Sequence, residues 1–586
     1  MKSEVDIIES APTDLVAEDL KGRDFTISDA ELPKGYFRSF NFIGSLIGIG
    51  ASFGCGVAGF SLVAPVLGFV NADIGPDPNL NWVALAYLLT TSIGLIIVGR
   101  VTDIFGRRWW FVGGNAVATV GSVVCAVSPN IPCLIAGQTL IGVGASVQLS
   151  YAFAVSEIVP MEWRFLAQAY VFLWGIPSSG VAPSIAYAFV FNTKAGWRGI
   201  FYLLIGLNAA TTILFYLSYR PPSFSMKHGS TKKVTFIKHF DYIGTLMGTL
   251  GLLLFLMGIS WGGTTHPWKS APTLCAIIIG FLLLVGFVLY EKYGNLKEPL
   301  LPLHLFKNRG WIVSVILWSL GAAVYYANAI LWPSMVAALY SEGHSTAWAG
   351  WVSCIPGCGI LAGEYAGAFF KRRTNIQLMI VFPIGCIFLA AMATSSPDTV
   401  LRSSIMIFLA SFFIGWNELL NSAVATIIID DQREIGTATG AAGSSRSLIS
   451  TVCSTVFTTV LANRLAQTIP ARVPPAVIEA GLPESSVPSF LAALTAGSFD
   501  AVAGVTPEII SIGKRAYKEA NAAAFNTVFL TTIAFSAIGI ILTFFAPNVD
   551  HLLTREVNIQ LSSKTVAGTG GAKETDVEQV EMAESN

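Results

Sequence analysis

Apolar stretches of about twenty residues, the length one helix needs to cross a bilayer's hydrocarbon core, recur fourteen times along this 586-residue chain. They lie near 43–67, 82–100, 109–128, 132–154, 165–189, 199–218, 242–261, 270–290, 311–335, 347–369, 376–396, 403–428, 437–460 and 524–546, numbered here as spans 1 to 14. Charged residues make up only 12% and apolar ones 53%, against about 25% charged in soluble domains. The expected class is an all-α polytopic membrane protein. A net charge of −1 provides no basic face for nucleic acid, which is excluded as a partner. The eight cysteines (55, 125, 133, 275, 354, 358, 386, 453) contain no CxxC pair. They read as small packing residues, and no metal and no cofactor are expected.

An even number of crossings puts both ends on one side. With the amino terminus in the cytosol, 25 of the 35 Lys and Arg fall on the cytosolic side, nine fall outside and Arg446 lies within a span. That bias obeys the positive-inside rule, so both termini are expected to be cytoplasmic. Residues 1–40 hold nine acids and five bases without an apolar core segment, so no cleavable signal peptide is expected. Residues 1–40 and the Gly, Ser, Glu-rich 547–586 are expected to be disordered tails.

Between spans 2 and 3 runs Gly99-Arg100-Val101-Thr102-Asp103-Ile104-Phe105-Gly106-Arg107-Arg108. Two glycines permit close helix approach while one acid and three arginines hold the turn at the cytosolic surface. Gly99, Asp103, Gly106, Arg107 and Arg108 are therefore expected to form a cytoplasmic gate. After span 10, Gly367 followed by Lys371-Arg372-Arg373 echoes this run without its acid. Gly142 to Glu157 likewise matches the spacing of Gly415 to Asp430 at an offset of 273, which sets Gln148 opposite Asn421. Chance likeness between oily helices is the competing explanation. The echoes predict a six-helix half over 41–220 and another over 311–546, the latter including an outer loop at 462–523. Residues 221–310 then hold a basic loop and the inserted spans 7 and 8.

Few ionisable residues lie inside the spans: Glu364, Glu418 and Arg446. A charge at that depth needs a partner or a function. Glu418 and Arg446 could form a structural ion pair, or Glu418 could carry a coupling proton. None of the six histidines falls in a span. Gln138, Gln148, Tyr151, Trp174, Tyr325, Tyr326, Asn328, Asn417 and Asn421 are the candidates to line a central cavity. Rings and amides with few charges suit a bulky, weakly polar organic molecule. Pro177 and Pro356 are expected to kink spans 5 and 10.

Asn81-Trp82-Val83-Ala84-Leu85-Ala86-Tyr87-Leu88-Leu89-Thr90, the Gly99–Arg108 run, Gln138-Thr139-Leu140-Ile141-Gly142 and Trp197-Arg198-Gly199-Ile200-Phe201-Tyr202 together resemble the fourteen-helix drug:proton antiporter group of the major facilitator superfamily. Leu32-Pro33-Lys34-Gly35-Tyr36-Phe37 and Ala72-Asp73-Ile74-Gly75-Pro76 are similar to the fungal trichothecene efflux pump family, and the likeness runs over about residues 32–550. The resemblance implies a major facilitator fold of 6+2+6 helices, and export of a toxic secondary metabolite driven by inward proton flow. The protein is expected to be a monomer in the plasma membrane, with a small-molecule substrate, protons and the lipid bilayer as its partners.

Three positions depart from the wider group. Gln138 stands where an arginine linked to proton coupling is usual, Ala182-Pro183-Ser184-Ile185-Ala186 replaces a Gly-Pro with paired glycines, and Ile104 takes the place of a base. The coupling candidates that remain are Glu418 and Glu364. Asn41 to Val70 contains no acid to attract a cationic drug, which favours a neutral or weakly acidic cargo such as a terpenoid. Siderophore–iron uptake is the nearest competing class, since Arg464, Arg472, Lys514, Arg515 and Lys518 of the outer loop could hold an anionic ferric chelate. A transporter-like sensor is the other alternative. With no GxxxxGK[ST], HExxH or GxSxG, neither an ATP-driven pump nor an enzyme is expected.

Overall fold

The computed structural model describes residues 26–561 apart from 78, 81, 229–232, 264, 265, 295, 297, 497 and 501. Helix occupies every predicted span position, but not uniformly. Among the described residues, twelve helical stretches are long and apolar enough to cross a membrane: Phe40–Ile74, Trp82–Phe105, Arg108–Ala126, Ile131–Ile158, Arg198–Ser218, Tyr242–Trp261, Ala271–Tyr293, Arg309–Tyr340, Thr374–Thr394, Val400–Ile427, Gln432–Glu479 and Pro507–Thr543. Spans 5 and 10 are the exceptions, because each is broken. Span 5 consists of Arg164–Leu173 and Ala182–Asn192, joined through the wide turn Ile176–Gly180. Span 10 changes direction at Cys354 between Thr346–Ser353 and Ile355–Ala368. Pro177 and Pro356 sit at these breaks, where a missing N–H leaves the helical ladder open.

Two helices extend far beyond their predicted ends. Ile435–Glu479 has 45 residues and Pro507–Thr543 has 37, so the expected outer loop at 462–523 is mostly helical. With Val487–Ala496 it closes a small core of its own around Val473, Val477, Phe490 and Ile509. Pro470, Pro474 and Pro475 lie inside the longer helix. They read as breakers in sequence, yet the helix persists because its apolar side is buried on a neighbour.

The halves meet along two seams, span 2 against span 13 and span 5 against span 10, while spans 7 and 8 pair with each other beside the first seam. The described parts of both tails are ordered, contrary to expectation. Ile27–Ser28 pairs antiparallel with Glu556–Val557. The segment 547–561 then bonds to both halves: Ile559 N–H donates to the Glu157 carbonyl at 3.0 Å and Glu162 N–H to the Thr554 carbonyl at 3.0 Å. Asn558 Nδ2 donates to Gln432 Oε1 at 2.9 Å. The strap also buries Val549, Val557, Ile559 and Leu561, so both apolar anchors and helix-end groups that need partners hold it. The remainder of the expected tails, 1–25 and 562–586, lies outside the described residues.

Candidate functional site: a closed gate and an enclosed cavity

At the face bearing both tails, Gly99 of span 2 presses against span 13. A Cβ on Gly99 would stand 2.4 Å from the Gly436 carbonyl oxygen and 3.0 Å from Gly440 Cα. Such contact brings Asp103 onto the first turn of the partner helix. Its Oδ2 accepts from the Thr437 N–H at 2.6 Å and from the Thr437 hydroxyl at 2.7 Å. Asp103 thus caps in trans the amino end of Ile435–Glu479, where orphan N–H groups and the helix dipole favour an anion.

Arg107 Nη2 donates to Asp103 Oδ1 at 2.9 Å and also pairs with Glu157. Its guanidinium lies 4.1 Å from the Phe153 ring centroid. Gly106 takes φ 89°, the left-handed conformation that lets the chain reverse between spans 2 and 3. Arg108 stays within its own half, donating to the Tyr216 carbonyl at 2.8 Å. Of the five gate candidates, Gly99 and Asp103 meet the opposite half, Arg107 braces Asp103, and Gly106 and Arg108 shape the turn. Gly436 and Gly440, whose spacing of four marks a smooth helix face in the sequence, are the partners of Gly99.

Span 5 is fastened at the same face. It bonds to span 12, where Arg164 Nη1 donates to the Thr426 carbonyl at 2.7 Å and Ser422 Oγ to Gln168 Oε1 at 2.6 Å, and beside it Lys371, from the echoed run after span 10, pairs with Glu162 at 2.7 Å. The hydrogen bond from Lys371 holds the Glu162 carboxyl below its ordinary range. Burial beneath the gate lowers the Lys227 ammonium and raises the Glu298 carboxyl, which pairs with Arg100.

The halves also touch away from the tails. A Cβ on Gly357 at mid-span would stand 2.0 Å from the Ser179 carbonyl oxygen, and nearer the opposite face one on Gly350 would stand 3.2 Å from Tyr187 Cδ2, with Cys354 Sγ 3.4 Å from Ser184 Oγ. Between these contacts and the gate is a cavity of about 50 Å³, with both halves contributing to its wall. Tyr151, Tyr325 and Tyr326 line it together with Trp318, Glu364, Glu418 and Arg446. Arg446 pairs directly with Glu418. Glu364 is 5% exposed, and its Oε2 has no hydrogen-bond partner.

The other predicted cavity residues lie off this wall. Gln148 Nε2 donates to Asn115 Oδ1 at 2.8 Å and Asn208 Oδ1 at 2.6 Å, and Gln138 Nε2 reaches the Gly59 carbonyl at 3.5 Å. Asn417 Nδ2 donates to the Leu317 carbonyl at 3.1 Å and Asn421 Nδ2 to Asn417 Oδ1 at 2.9 Å. Trp174 fills the notch left by Gly50 and Gly54, and Asn328 is buried. Trp318 was not among the sequence candidates, while Trp174, another single indole in an apolar span, was and lies off the wall: sequence alone does not tell which indole faces the cavity. A wider groove of about 690 Å³ indents the 5/10 seam near the tails, but its wall is almost wholly apolar.

Backbone contact at Gly99 leads to a direct test. Gly99→Ala must push span 2 away from span 13, at a cost of about 1–3 kcal/mol, so transport is expected to fall roughly tenfold or more. Gly113→Ala, with nothing within 4 Å of the added carbon, is expected to match wild type in the same flux assay.

Two helical halves in contact along two seams, with a shared cavity between them, define the fold of a major facilitator transporter. The fold is similar to that of the proton:xylose symporter of the major facilitator superfamily bound to 6-bromo-6-deoxy-D-glucose, at a TM-score of 0.51 and 14% identity over 90% of this chain and 99% of that one. It is also similar to the human organic anion transporter MFSD10, at a TM-score of 0.50 and 11% identity over 86% and 99%. The profile of the fungal trichothecene efflux pumps matches residues 2–579, and the chain belongs to that family. The trichothecene efflux pump of Trichoderma arundinaceum is 27% identical over 99% of this chain and 97% of its own length. That of Fusarium sporotrichioides is 27% identical over 94% and 93%. The protein is a multi-pass membrane transporter of small molecules and not an enzyme.

Proposed function

We propose that this protein exports a bulky, neutral or weakly polar secondary metabolite of the trichothecene class across the plasma membrane, exchanging it for protons by alternating access. In this reading the protein acts as a monomer, the tails and the Asp103 gate lie in the cytosol, and the central cavity is the cargo site. The observation that carries it is the enclosed cavity with Glu364 unpartnered beside the Glu418–Arg446 pair.

The pair leaves no unbalanced acid at Glu418 to draw in a cation. Glu364, whose Oε2 lacks a partner, is the carboxyl free to exchange a proton when a face opens. Pockets for drug-sized ligands have about 300–1,000 Å³, so the cavity of about 50 Å³ is a closed intermediate that must open toward one face to load and the other to release. The names of the relatives support the cargo class, and the 25 of 35 Lys and Arg on the tail side support the orientation.

The test is flux in vesicles with the tail face outward and an acid lumen. A labelled trichothecene is expected to accumulate inside, and a protonophore to abolish the accumulation. Accumulation that ignores the protonophore overturns proton exchange, and no accumulation overturns export of this cargo.

A further inference from the structure

We propose that Trp318 is the specificity-determining donor of the cavity, its indole N–H bonding an acceptor oxygen (carbonyl, ether or ester) on an uncharged cargo. This rests on the reading of the central cavity as the cargo site. Trp318 lies on the helix Arg309–Met335, is 3% exposed and lines the cavity. Its Nε1 is buried without an acceptor. An orphaned buried donor costs about 1–3 kcal/mol, and folded proteins keep few of them.

Other indoles show what this one lacks. Trp197, Trp332 and Trp416 give their N–H to Asp73, the Val352 carbonyl and Gln377 at 2.9, 2.8 and 3.0 Å. Trp174 and Trp311 also have no acceptor, but neither lines the central cavity. The Trp318 ring is set in place by charge: the Arg446 guanidinium lies 5.7 Å from its centroid and is itself held by Glu418. A cation–π contact of this kind orients the ring and leaves its N–H available.

The surroundings define the ligand. The Glu418–Arg446 pair presents no net charge, and Phe53, Phe172, Ile360 and Leu361 supply an apolar wall. The Tyr325 hydroxyl accepts from Ser179 Oγ at 3.0 Å and keeps its own proton as a second donor on the wall. A largely apolar, uncharged molecule with an exposed acceptor oxygen satisfies the orphan donor. A hydrocarbon of the same shape does not.

Trp318→Phe keeps a ring for Arg446 and removes the donor along with part of the indole's volume, a loss of shape that both probes below would feel alike. Equilibrium binding to the full-length protein in lipid nanodiscs is measured with two probes, a labelled sesquiterpene ketone and the corresponding hydrocarbon. Relative to wild type, the variant is expected to lose about tenfold more affinity for the ketone than for the hydrocarbon. Its proton-coupled flux is expected to keep the wild-type pH profile, which reports an intact fold. Unchanged ketone affinity, or an equal loss for both probes, overturns the assignment. Wild-type protein that binds neither probe overturns the cargo-site reading itself.

Discussion

Asp103→Asn is expected to reduce transport by roughly two orders of magnitude while leaving the protein in the membrane at its normal level. Asparagine keeps the shape of the side chain but not the charge. The Thr437 N–H and hydroxyl at 2.6 and 2.7 Å and the Arg107 guanidinium at 2.9 Å then face a neutral amide. Charge-assisted hydrogen bonds contribute about 1.5–3 kcal/mol each. Losing the ionic part of this set shifts the closed-to-open balance by about 3 kcal/mol, or roughly a hundredfold. Arg107 retains Glu157, so no guanidinium is left buried alone and insertion is unaffected. Flux measured alongside surface abundance checks this. A fully active variant would show that the gate does not depend on the charge.

The two cavity carboxyls are expected to part company when each is made an amide. Glu364→Gln replaces a group whose Oε2 has no partner, so the fold is expected to survive and the pH dependence of flux to flatten. Glu418→Gln instead strands Arg446, 28 residues away in sequence and paired with it in the cavity. Breaking a buried pair by removing one partner costs about 3–5 kcal/mol, so the expected result is lower thermal stability and yield. Pairing Glu418→Gln with Arg446→Leu is expected to recover much of that loss, because no buried charge is then left unpaired. Flux against pH and thermal unfolding of each variant decide between the roles. A wild-type pH profile in Glu364→Gln would pass the coupling role to Glu418.

The overall plan was readable because bilayer physics leaves few choices: an apolar run of about twenty residues must be a helix. The Gly99–Arg108 run was equally readable, since glycine, acid and arginine there each have one plausible physical use. Its partners were harder to see. Asp103 meets Thr437 at a sequence separation of 334, and only the pairing of spans 2 and 13 brings them together. Amides such as Gln148 and Asn421 are ambiguous for a different reason. A buried amide can serve a ligand or a neighbouring helix, and here Gln148 binds Asn115 and Asn208 while Asn421 binds Asn417. The long helices at 435–479 and 507–543 escaped because they leave the apolar zone and continue as amphipathic, proline-bearing segments. The strap at 547–561 escaped because its isolated apolar residues, Val549, Val557, Ile559 and Leu561, follow no helical or strand period and its bonds run to other elements.

The central claim, outward movement of a neutral toxin, is tested most directly by a paired measurement in cells with and without the protein: retention of a labelled trichothecene and uptake of a labelled ferric siderophore. Cells lacking it are expected to retain more toxin and to take up the chelate at the normal rate. Unchanged toxin retention together with a loss of chelate uptake would contradict the account and assign the transporter to iron import.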